Sequence, residues 1–258
     1  MDIQLIRHAT LVLRGGGRTV LVDPMLSPAG AMDPVANAGN DDRIPLTPLP
    51  LGDAALRALI ATLDGVIVTH LHRDHWDAAA RELLPPALPI ACQPADAESL
   101  RASGCTRVTP VDGEAEWLGW RLARTGGEHG RGEVGRKMGQ VSGFVIDAAG
   151  EPRTWIAGDT VWCPAAEAAI ASYRPRVAVV NAGAAQFLEG GPITMDVDDV
   201  REVLRAAPGA TVVAVHFATV NHCRLSRGAL RGAIPDNAGG SRLVIPEDGA
   251  TVSFGTGG

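Results

Sequence analysis

The chain contains the segment Thr69-His70-Leu71-His72-Arg73-Asp74-His75-Trp76, which holds three of its seven histidines and one aspartate within six positions. The run Val66-Ile67-Val68 precedes this segment, and an apolar, β-branched run of this kind is typical of a buried strand. The segment therefore begins where a strand is predicted to end.

The spacing of the polar residues predicts how they are arranged. If the backbone stays extended beyond the strand, His70, His72 and Asp74 project to one side. His75 then lies where the chain turns into a helix predicted over residues 76–84. Imidazole nitrogens and a carboxylate at the end of a strand indicate a site for Zn²⁺ or a similar divalent ion. A solvated polar turn is the weaker interpretation, because so many ligand-type side chains in one turn are hard to place otherwise.

Length and composition limit the class of protein. The 258 residues are enough for one large domain or two small ones, and because no linker divides them we expect one domain over residues 1–258. A net charge of −6 argues against a surface for nucleic acid or anionic membrane. No transmembrane-length apolar run and no signal peptide is visible, and the four cysteines are scattered, so a reduced, cytoplasmic protein is expected.

Short strands and helices alternate along the chain, in a meander early and in an αβ pattern later in both halves. This order predicts an α/β (α+β) fold of two sheets with helices outside. Residues 24–52 are rich in proline and are predicted to form a long loop beside a site. Residues 117–124 are predicted to form one strand, and the glycine-rich residues 126–139 to be irregular.

Further candidate ligands lie far along the chain from the histidine segment. Like His70, Asp159 and His216 each follow an apolar strand, and ligands gather at the carboxyl ends of strands in open α/β sheets. His129 lies in the glycine-rich segment and is expected to reach the same edge. The alternatives are a helix cap for Asp159, a core histidine for His216 and an exposed loop residue for His129.

Seven candidate metal ligands result from these positions: His70, His72, Asp74, His75, His129, Asp159 and His216. One tetrahedral ion needs three or four ligands. Seven ligands suit two ions about 3.5–4 Å apart that share a carboxylate and a water.

This pattern resembles the metallo-β-lactamase-fold hydrolases over essentially the whole chain. The resemblance rests on His-x-His-x-Asp-His, the later lone His129, Gly158-Asp159-Thr160 and the late His216. Arg7-His8-Ala9 and Asp23-Pro24 look most like the branch of the ascorbate-6-phosphate lactonase. The resemblance implies a single domain folded as a four-layer αββα sandwich.

The resemblance also implies roles for the seven ligands and a reaction. His70, His72 and His129 would hold a first metal, and Asp74, His75 and His216 a second, with Asp159 bridging. A water held between two ions loses its proton near neutral pH and becomes a nucleophile, and Asp74 and Asp159 are the expected catalytic residues. Zn²⁺ is the ion we expect first, with Mn²⁺ or Fe²⁺ as alternatives.

The substrate is expected to be a small molecule: an ester, a lactone or a phosphate-bearing metabolite. Candidates for contacting it or orienting ligands are His8, Asp23, Arg136, Lys137, Asn221 and His222. A phosphodiesterase or nuclease of the same fold is the alternative, although no nucleic-acid or membrane partner is expected. A di-iron oxidoreductase is less well supported, because such family members carry Glu where this chain has His72. The sequence leaves the oligomeric state open.

Overall fold

The computed structural model describes residues 1–255, so residues 256–258 of the expected domain lie outside the described part. Within residues 1–255 the chain forms two seven-stranded sheets. The first sheet contains β1 (Asp2–Arg7), β2 (Thr10–Gly15), β3 (Arg18–Val22), β4 (Gly65–Val68), β5 (Ile90–Cys92), β6 (Val108–Pro110) and β14 (Thr251–Ser253). The second contains β7 (Glu114–Trp117), β8 (Trp120–Gly126), β9 (Ser142–Asp147), β10 (Thr154–Ile156), β11 (Val177–Asn181), β12 (Thr211–Val215) and β13 (Leu243–Val244).

Seven α-helices lie within the same range of residues. They are α1 (Asp53–Ala61), α2 (Ala78–Leu83), α3 (Ala97–Ala102), α4 (Gly132–Lys137), α5 (Pro164–Tyr173), α6 (Val197–Ala206) and α7 (Arg227–Ala233). None of the helices in residues 1–255 is both long and apolar enough to cross a bilayer.

The alternation of side chains along the strands produces four layers. In β4, Val66 and Val68 pack against α1, α2 and α3, whereas Ile67 faces the second sheet. In β11, Val180 packs against α5 and α6, whereas Val179 faces the first sheet. Successive residues of a strand point to opposite faces, so each buried strand contributes to two apolar interfaces. The three interfaces between four layers confirm the predicted αββα sandwich.

The order of the strands brings several carboxyl ends to one edge of each sheet. In the first sheet, β3 and β4 are parallel, and β1 has the same direction because both β1 and β3 pair antiparallel with β2. In the second sheet, β10, β11 and β12 are parallel, and β8 shares their direction through the antiparallel β9. Residues that follow these strands are therefore neighbours in space.

Residues 24–52, which we call the covering loop, contain no helix or strand segment and are tied to the first sheet. The guanidinium of the fully buried Arg7 donates to the carbonyls of Met25, Ser27 and Thr47 at 2.8–2.9 Å. Burial lowers the pKa of Arg7 to about 10. The contacts with three carbonyls hold the start and the end of the loop together.

Asp77 caps α2 and also anchors the covering loop. Its carboxylate accepts from Ala80 N and from Ser27 N, each at 2.7 Å. We expect Asp77→Ala to lower the free energy of unfolding by about 2 kcal/mol in urea titrations, because it removes a cap and leaves a buried amide without a partner. Asp196→Ala is the matched control, since Asp196 caps α6 through one bond to Asp199 N. An equal loss in the two variants would contradict the anchoring role.

The prediction that residues 126–139 are irregular is wrong, because Gly132–Lys137 form α4. Glu133 and Lys137 form an ion pair one turn apart, which supports the helix. Glycine is also needed there for a steric reason: a Cβ at Gly135 would lie 2.0 Å from the carbonyl oxygen of Gly130. The glycines that suggested irregular structure instead allow a short helix to pack closely on the preceding turn.

Two other features of the structure differ from the sequence analysis. Residues 117–124 are not one strand, because β7 and β8 form a hairpin that turns at Leu118 and Gly119, both with positive φ. The helix α7 was not predicted from its short sequence, Arg227–Ala233. Its N-cap, Ser226, accepts from Ala229 N, and its buried Leu230 joins the core under the second sheet.

Candidate metal centre

The predicted ligands and their neighbours lie just beyond strand ends of both sheets. In the first sheet, His8 follows β1, Asp23 follows β3, and the segment 70–75 follows β4. In the second sheet, Asp159 follows β10 and His216 follows β12. His129, three residues beyond β8, reaches the same place, so the structure brings all seven predicted ligands together.

Three of the residues at these strand ends have left-handed backbone conformations. The φ angles are 61° at His8, 43° at Asp23 and 72° at His216. Side chains other than glycine seldom adopt such angles, and they persist where surrounding contacts fix them. One such contact joins the two sheets, because His216 N donates to the carbonyl of His8 at 2.9 Å.

The spacing suggested an extended backbone along the histidine segment, but the backbone turns there. The amides of His75 and Trp76 both donate to the carbonyl of His72 at 2.9 Å, which closes a turn. The turn separates the segment into two parts that join different groups. One group contains His70, His72 and His129, and another contains Asp74, His75 and His216 together with His8.

Asp159 lies between the two groups. Its Oδ2 is 3.2 Å from His75 Nε2 and 3.4 Å from His129 Nε2, and its Oδ1 is 3.4 Å from His216 Nε2. Ligand atoms about 2.1 Å from a tetrahedral ion are separated from one another by about 3.4 Å. The spacing of these donors therefore suits a shared coordination shell.

Hydrogen bonds from residues outside the cluster determine which ring nitrogen of His70 and His75 faces the other ligands. Asp23 accepts from the hydroxyl of Thr69 at 2.7 Å and from Nδ1 of His75 at 2.8 Å. Because the Thr69 hydroxyl proton goes to Asp23, its oxygen accepts from His70 Nδ1 at 3.1 Å. Both histidines thus carry the proton on Nδ1 and direct an Nε2 lone pair into the cluster, as metal-binding histidines do.

The histidine from the glycine-rich segment is oriented in the same way. His129 Nδ1 donates to the carbonyl of Ile193 at 2.8 Å, which leaves Nε2 directed toward Asp159. His72 faces it with Nδ1 at 3.2 Å. His72 is the member of this group that is partly exposed, so the first group is reached from solvent on its side.

The ring nitrogens that lack hydrogen-bond partners indicate whether these residues suit a metal ion. Nε2 of His70, His75 and His216 is buried and has no hydrogen-bond partner within residues 1–255. Buried polar atoms rarely lack partners, so nitrogens that face carboxylates at this spacing need either protons or a metal cation between them. The donors, four or more nitrogens with two carboxylates, suit Zn²⁺ and also Mn²⁺ or Fe²⁺.

A family comparison agrees with this arrangement. The model of the beta-lactamase superfamily domain matches residues 18–217, which include all seven predicted ligands. The chain belongs to this family. Its four layers are the fold that the sequence pattern predicted.

Several similar proteins cover nearly the whole chain. The UPF0173 protein YddR of Bacillus subtilis is 37% identical over 98% of this chain and 100% of its own length. The UPF0173 metal-dependent hydrolase Ta0764 of Thermoplasma acidophilum is 29% identical over 90% of this chain and 89% of its own. The crystal structure of an isothiocyanate hydrolase from Delia radicum gut bacteria has a TM-score of 0.91 and 34% identity, covering 99% of this chain and 100% of that one. The family is thus one with members named metal-dependent hydrolases.

Burial and neighbouring charges shift the pKa values of the cluster in opposite directions. Burial lowers the pKa of His129 to about 4. At His216 burial acts in the same direction, but the Asp159 carboxylate outweighs it and raises the pKa to about 10. The nearby His216, His75 and His129 hold the pKa of Asp159 well below its ordinary value despite burial. Metal binding at His216 must therefore displace a proton, whereas His129 is already neutral near pH 7.

Asn181 is a contributor that the sequence analysis missed. Its Nδ2 donates to Asp159 Oδ1 at 2.6 Å, which orients the carboxylate between the two groups. Asn181 is the last residue of β11, between the strands that end near Asp159 and His216. Its position at a strand end was the signal that could have identified it.

His8 and Asp23, predicted to orient ligands or contact substrate, both hydrogen-bond to members of the cluster. Nε2 of the buried His8 is 3.1 Å from Asp74 Oδ2 and donates to it when the carboxylate is ionised. Burial, followed by the neighbouring His216, lowers the pKa of His8 to about 3. His8 is therefore placed to hold Asp74, as Asp23 holds His75.

The remaining predicted residues have separate surroundings. Asn221 bonds through its side chain to the backbone of Val35 and Asn40, so it fastens the covering loop. His222 is buried near the cluster, and Arg136 and Lys137 are exposed on α4. A role for any of these residues in substrate binding stays a prediction.

Gly183 allows the close approach that places His216. A Cβ at Gly183 would lie 2.1 Å from the carbonyl oxygen of His216 and 2.7 Å from Cys223 Sγ. We expect Gly183→Ala to lower the free energy of unfolding by about 1–3 kcal/mol and to reduce bound metal, because the His216 backbone must move. Denaturant unfolding and metal analysis check this. Gly209→Ala, where a Cβ meets no atom within 4 Å, should change neither; equal effects would refute the explanation.

Proposed function

We propose that the chain, as one hydrolase domain over residues 1–258, uses two divalent ions to hydrolyse a small molecule. His70, His72 and His129 would hold one ion, and Asp74, His75 and His216 the other, with Asp159 shared between them. The observation that carries this proposal is the convergence of unpartnered, correctly oriented imidazole nitrogens around one buried carboxylate.

The chemistry follows from the surroundings of the two carboxylates. Bound divalent ions lower the pKa of a coordinated water toward 7 and polarise a carbonyl or phosphoryl oxygen. Asp159, with a side chain 3% exposed and held by Asn181, serves to fix the ligand arrangement. Asp74, with a side chain 13% exposed and held by His8, is the more accessible of the two carboxylates. Asp74 would receive the proton from water and return it to the leaving group.

Three of the basic side chains near the site already have partners, which favours an electrophilic carbon over a highly charged phosphate as the reacting group. Arg131 is paired with Asp199 at 2.6 Å, and Lys137 with Glu133 at 2.7 Å. Arg224 donates to the carbonyl of Ala38. Phosphate recognition usually requires free, convergent arginine or lysine groups. We therefore place esters and lactones ahead of phosphate-bearing substrates and ahead of a phosphodiesterase or nuclease activity.

An isothiocyanate is a second candidate substrate. The observation that favours it is the 34% identity to the isothiocyanate hydrolase over almost all of both chains. The central carbon of an isothiocyanate, like that of an ester, is an electrophile that water attacks. The lactonase-like branch is supported only by the short motifs at Arg7-His8-Ala9 and Asp23-Pro24.

Metal analysis combined with a substrate screen tests the proposal. Protein purified without chelators, or reloaded with Zn²⁺ or Mn²⁺, should contain close to two ions per chain. Esters, lactones, isothiocyanates, phosphodiesters and phosphomonoesters should be tested with each metal, with EDTA-treated protein as the control. Absence of bound metal after reloading would refute the dinuclear site. Metal-loaded protein inactive on every class would refute the hydrolase.

A further inference from the structure

A cavity of about 450 Å³ lies between α4, the covering loop and residues 187–189, and it is lined mainly by apolar side chains. Val134 and Met138 come from α4 and the residue that follows it, and Phe187 and Leu188 come from the segment before α6. Its size lies within the range of ordinary small-molecule pockets. The cavity is therefore large enough for part of a substrate.

The exposure of one lining residue is unusual for this protein. Leu188 is 68% exposed, and the other large apolar residue that is exposed within residues 1–255 is Leu46, at 41%. The backbone of Leu188 is fixed, because its N–H donates to the carbonyl of Asn37 in the covering loop at 2.8 Å. An apolar side chain that is held in place and left uncovered indicates a surface that binds a ligand.

Close glycine contacts build the walls of this cavity. A Cβ at Gly190 would lie 2.5 Å from Val134 Cγ2, and one at Gly39 would lie 3.0 Å from Leu188 Cδ2. The segment 187–190 thus packs directly against both α4 and the covering loop. The apolar lining is a packed arrangement of three chain segments, which makes it a defined shape for recognition.

The segment that lines the cavity also leads to residues of the metal centre. The ring of Phe187 stacks on the buried His222 with centroids 5.6 Å apart. Farther along, the carbonyl of Ile193 holds His129. Residues 187–193 therefore connect the cavity with a ligand of the metal centre, and a substrate lying along them would reach from one to the other.

The polar residues of the lining leave no strong site for a charged group. Of the seven lining residues, Lys137 is the only cation, and its ammonium is paired with Glu133 at 2.7 Å. Glu189 is exposed to solvent, and the backbone carbonyl of Asn37 accepts a hydrogen bond from the N–H of Leu188. Charge and shape both favour an uncharged, apolar group.

We propose that Val134, Met138, Phe187 and Leu188 form a subsite for an uncharged apolar substituent of the substrate. This inference rests on the proposed function, since it assigns the reacting group to the metal centre and the substituent to the cavity. The subsite selects esters or isothiocyanates with an alkyl or aryl chain over small polar ones. Each methylene buried there should increase kcat/KM about fourfold, up to the length of the cavity.

Two homologous series test the subsite in the zinc-loaded protein. The series are p-nitrophenyl acetate, butyrate, hexanoate and octanoate, and methyl, butyl and hexyl isothiocyanate. In the parent protein kcat/KM should rise with chain length in the series that is turned over. Leu188→Ser should lower kcat/KM about 10-fold for the longest member, mainly through KM, and less than about twofold for the shortest.

Leu46→Ser is the matched control, because Leu46 is exposed in the covering loop and does not line the cavity. It should leave both ends of the series unchanged. Equal losses for short and long substrates in Leu188→Ser, or no dependence on chain length in the parent, would overturn the subsite. If Leu188→Ser does not fold, Met138→Ser replaces it with the same expectation.

A binding measurement separates failure of the subsite from failure of the proposed function. The neutral dye N-phenyl-1-naphthylamine should become fluorescent on the parent protein and on Leu46→Ser, and about 10-fold weaker binding is expected for Leu188→Ser. If no substrate is hydrolysed but this difference holds, the apolar site stands and the hydrolase assignment fails. If the dye binds all three proteins equally, or none, the subsite is overturned whatever the activity.

Discussion

Replacing Asp159 with asparagine is expected to remove most of the bound metal and to lower kcat/KM by more than about 100-fold. The carboxylate lies 3.2–3.4 Å from nitrogens of three histidines, and asparagine keeps its shape while removing the charge they share. Changes to groups that only support metal ligands cost 10–100-fold in affinity or activity, so a shared ligand should cost at least the upper end of that range. Metal content by elemental analysis and turnover of the best substrate measure the effect.

Asp198→Asn is the control for that experiment. Asp198 lies on α6 with its side chain 84% exposed, and its ion-pair partner within residues 1–255 is Arg201. Its metal content and rate should match those of the parent protein. An Asp159→Asn protein that keeps two ions and full turnover would rule out a shared carboxylate and would leave each group of donors to act alone.

Removal of metal is expected to lower the melting temperature by about 5–10 °C. A ligand present at 100 times its Kd stabilises the folded state by about 2.7 kcal/mol, and each kcal/mol corresponds to about 2–4 °C for a chain of this length. The donors that lose their cation are buried, so the folded protein must then rely on protons at His75 and His216 to balance Asp159. Differential scanning fluorimetry with EDTA, then with restored Zn²⁺ or Mn²⁺, measures the change.

The same titration on His72→Ala provides the comparison. His72 is the partly exposed donor, so its loss weakens the first group with little damage to the core. The stabilisation by added metal should become smaller in this variant than in the parent. If EDTA leaves the melting temperature of the parent unchanged while metal analysis shows that the ions are gone, metal and folding are not coupled.

The fold was predictable where local pattern and position agree. The run Val66-Ile67-Val68 is apolar on both faces because it lies between a helix layer and a second sheet, and its sequence alone indicates that. The positions of Asp159 and His216 at strand ends likewise indicated them as candidate ligands, because ligands gather at the carboxyl ends of strands in α/β sheets. The turn that begins at His72 was not predictable, because backbone bonds to its carbonyl override the extended spacing.

Specific tertiary contacts determine what the pattern could not predict. Gly135 looks like a helix breaker, yet it is required where α4 packs on the nearby Gly130, a close approach that propensity does not describe. The side chain of Asn221 bonds to the covering loop at Val35, 186 residues away, which lies far outside the window from which periodicity is read.

The cluster lies at strand ends of both sheets and therefore bridges the gap between them. Four of the seven predicted ligands follow β4 of the first sheet, and the other three follow strands of the second sheet. Each group of donors needs side chains from both sheets, so a metal bound there would connect the sheets. We therefore expect metal affinity to depend on how the two sheets fit together, and a bound metal to act as a cross-link as well as a reagent.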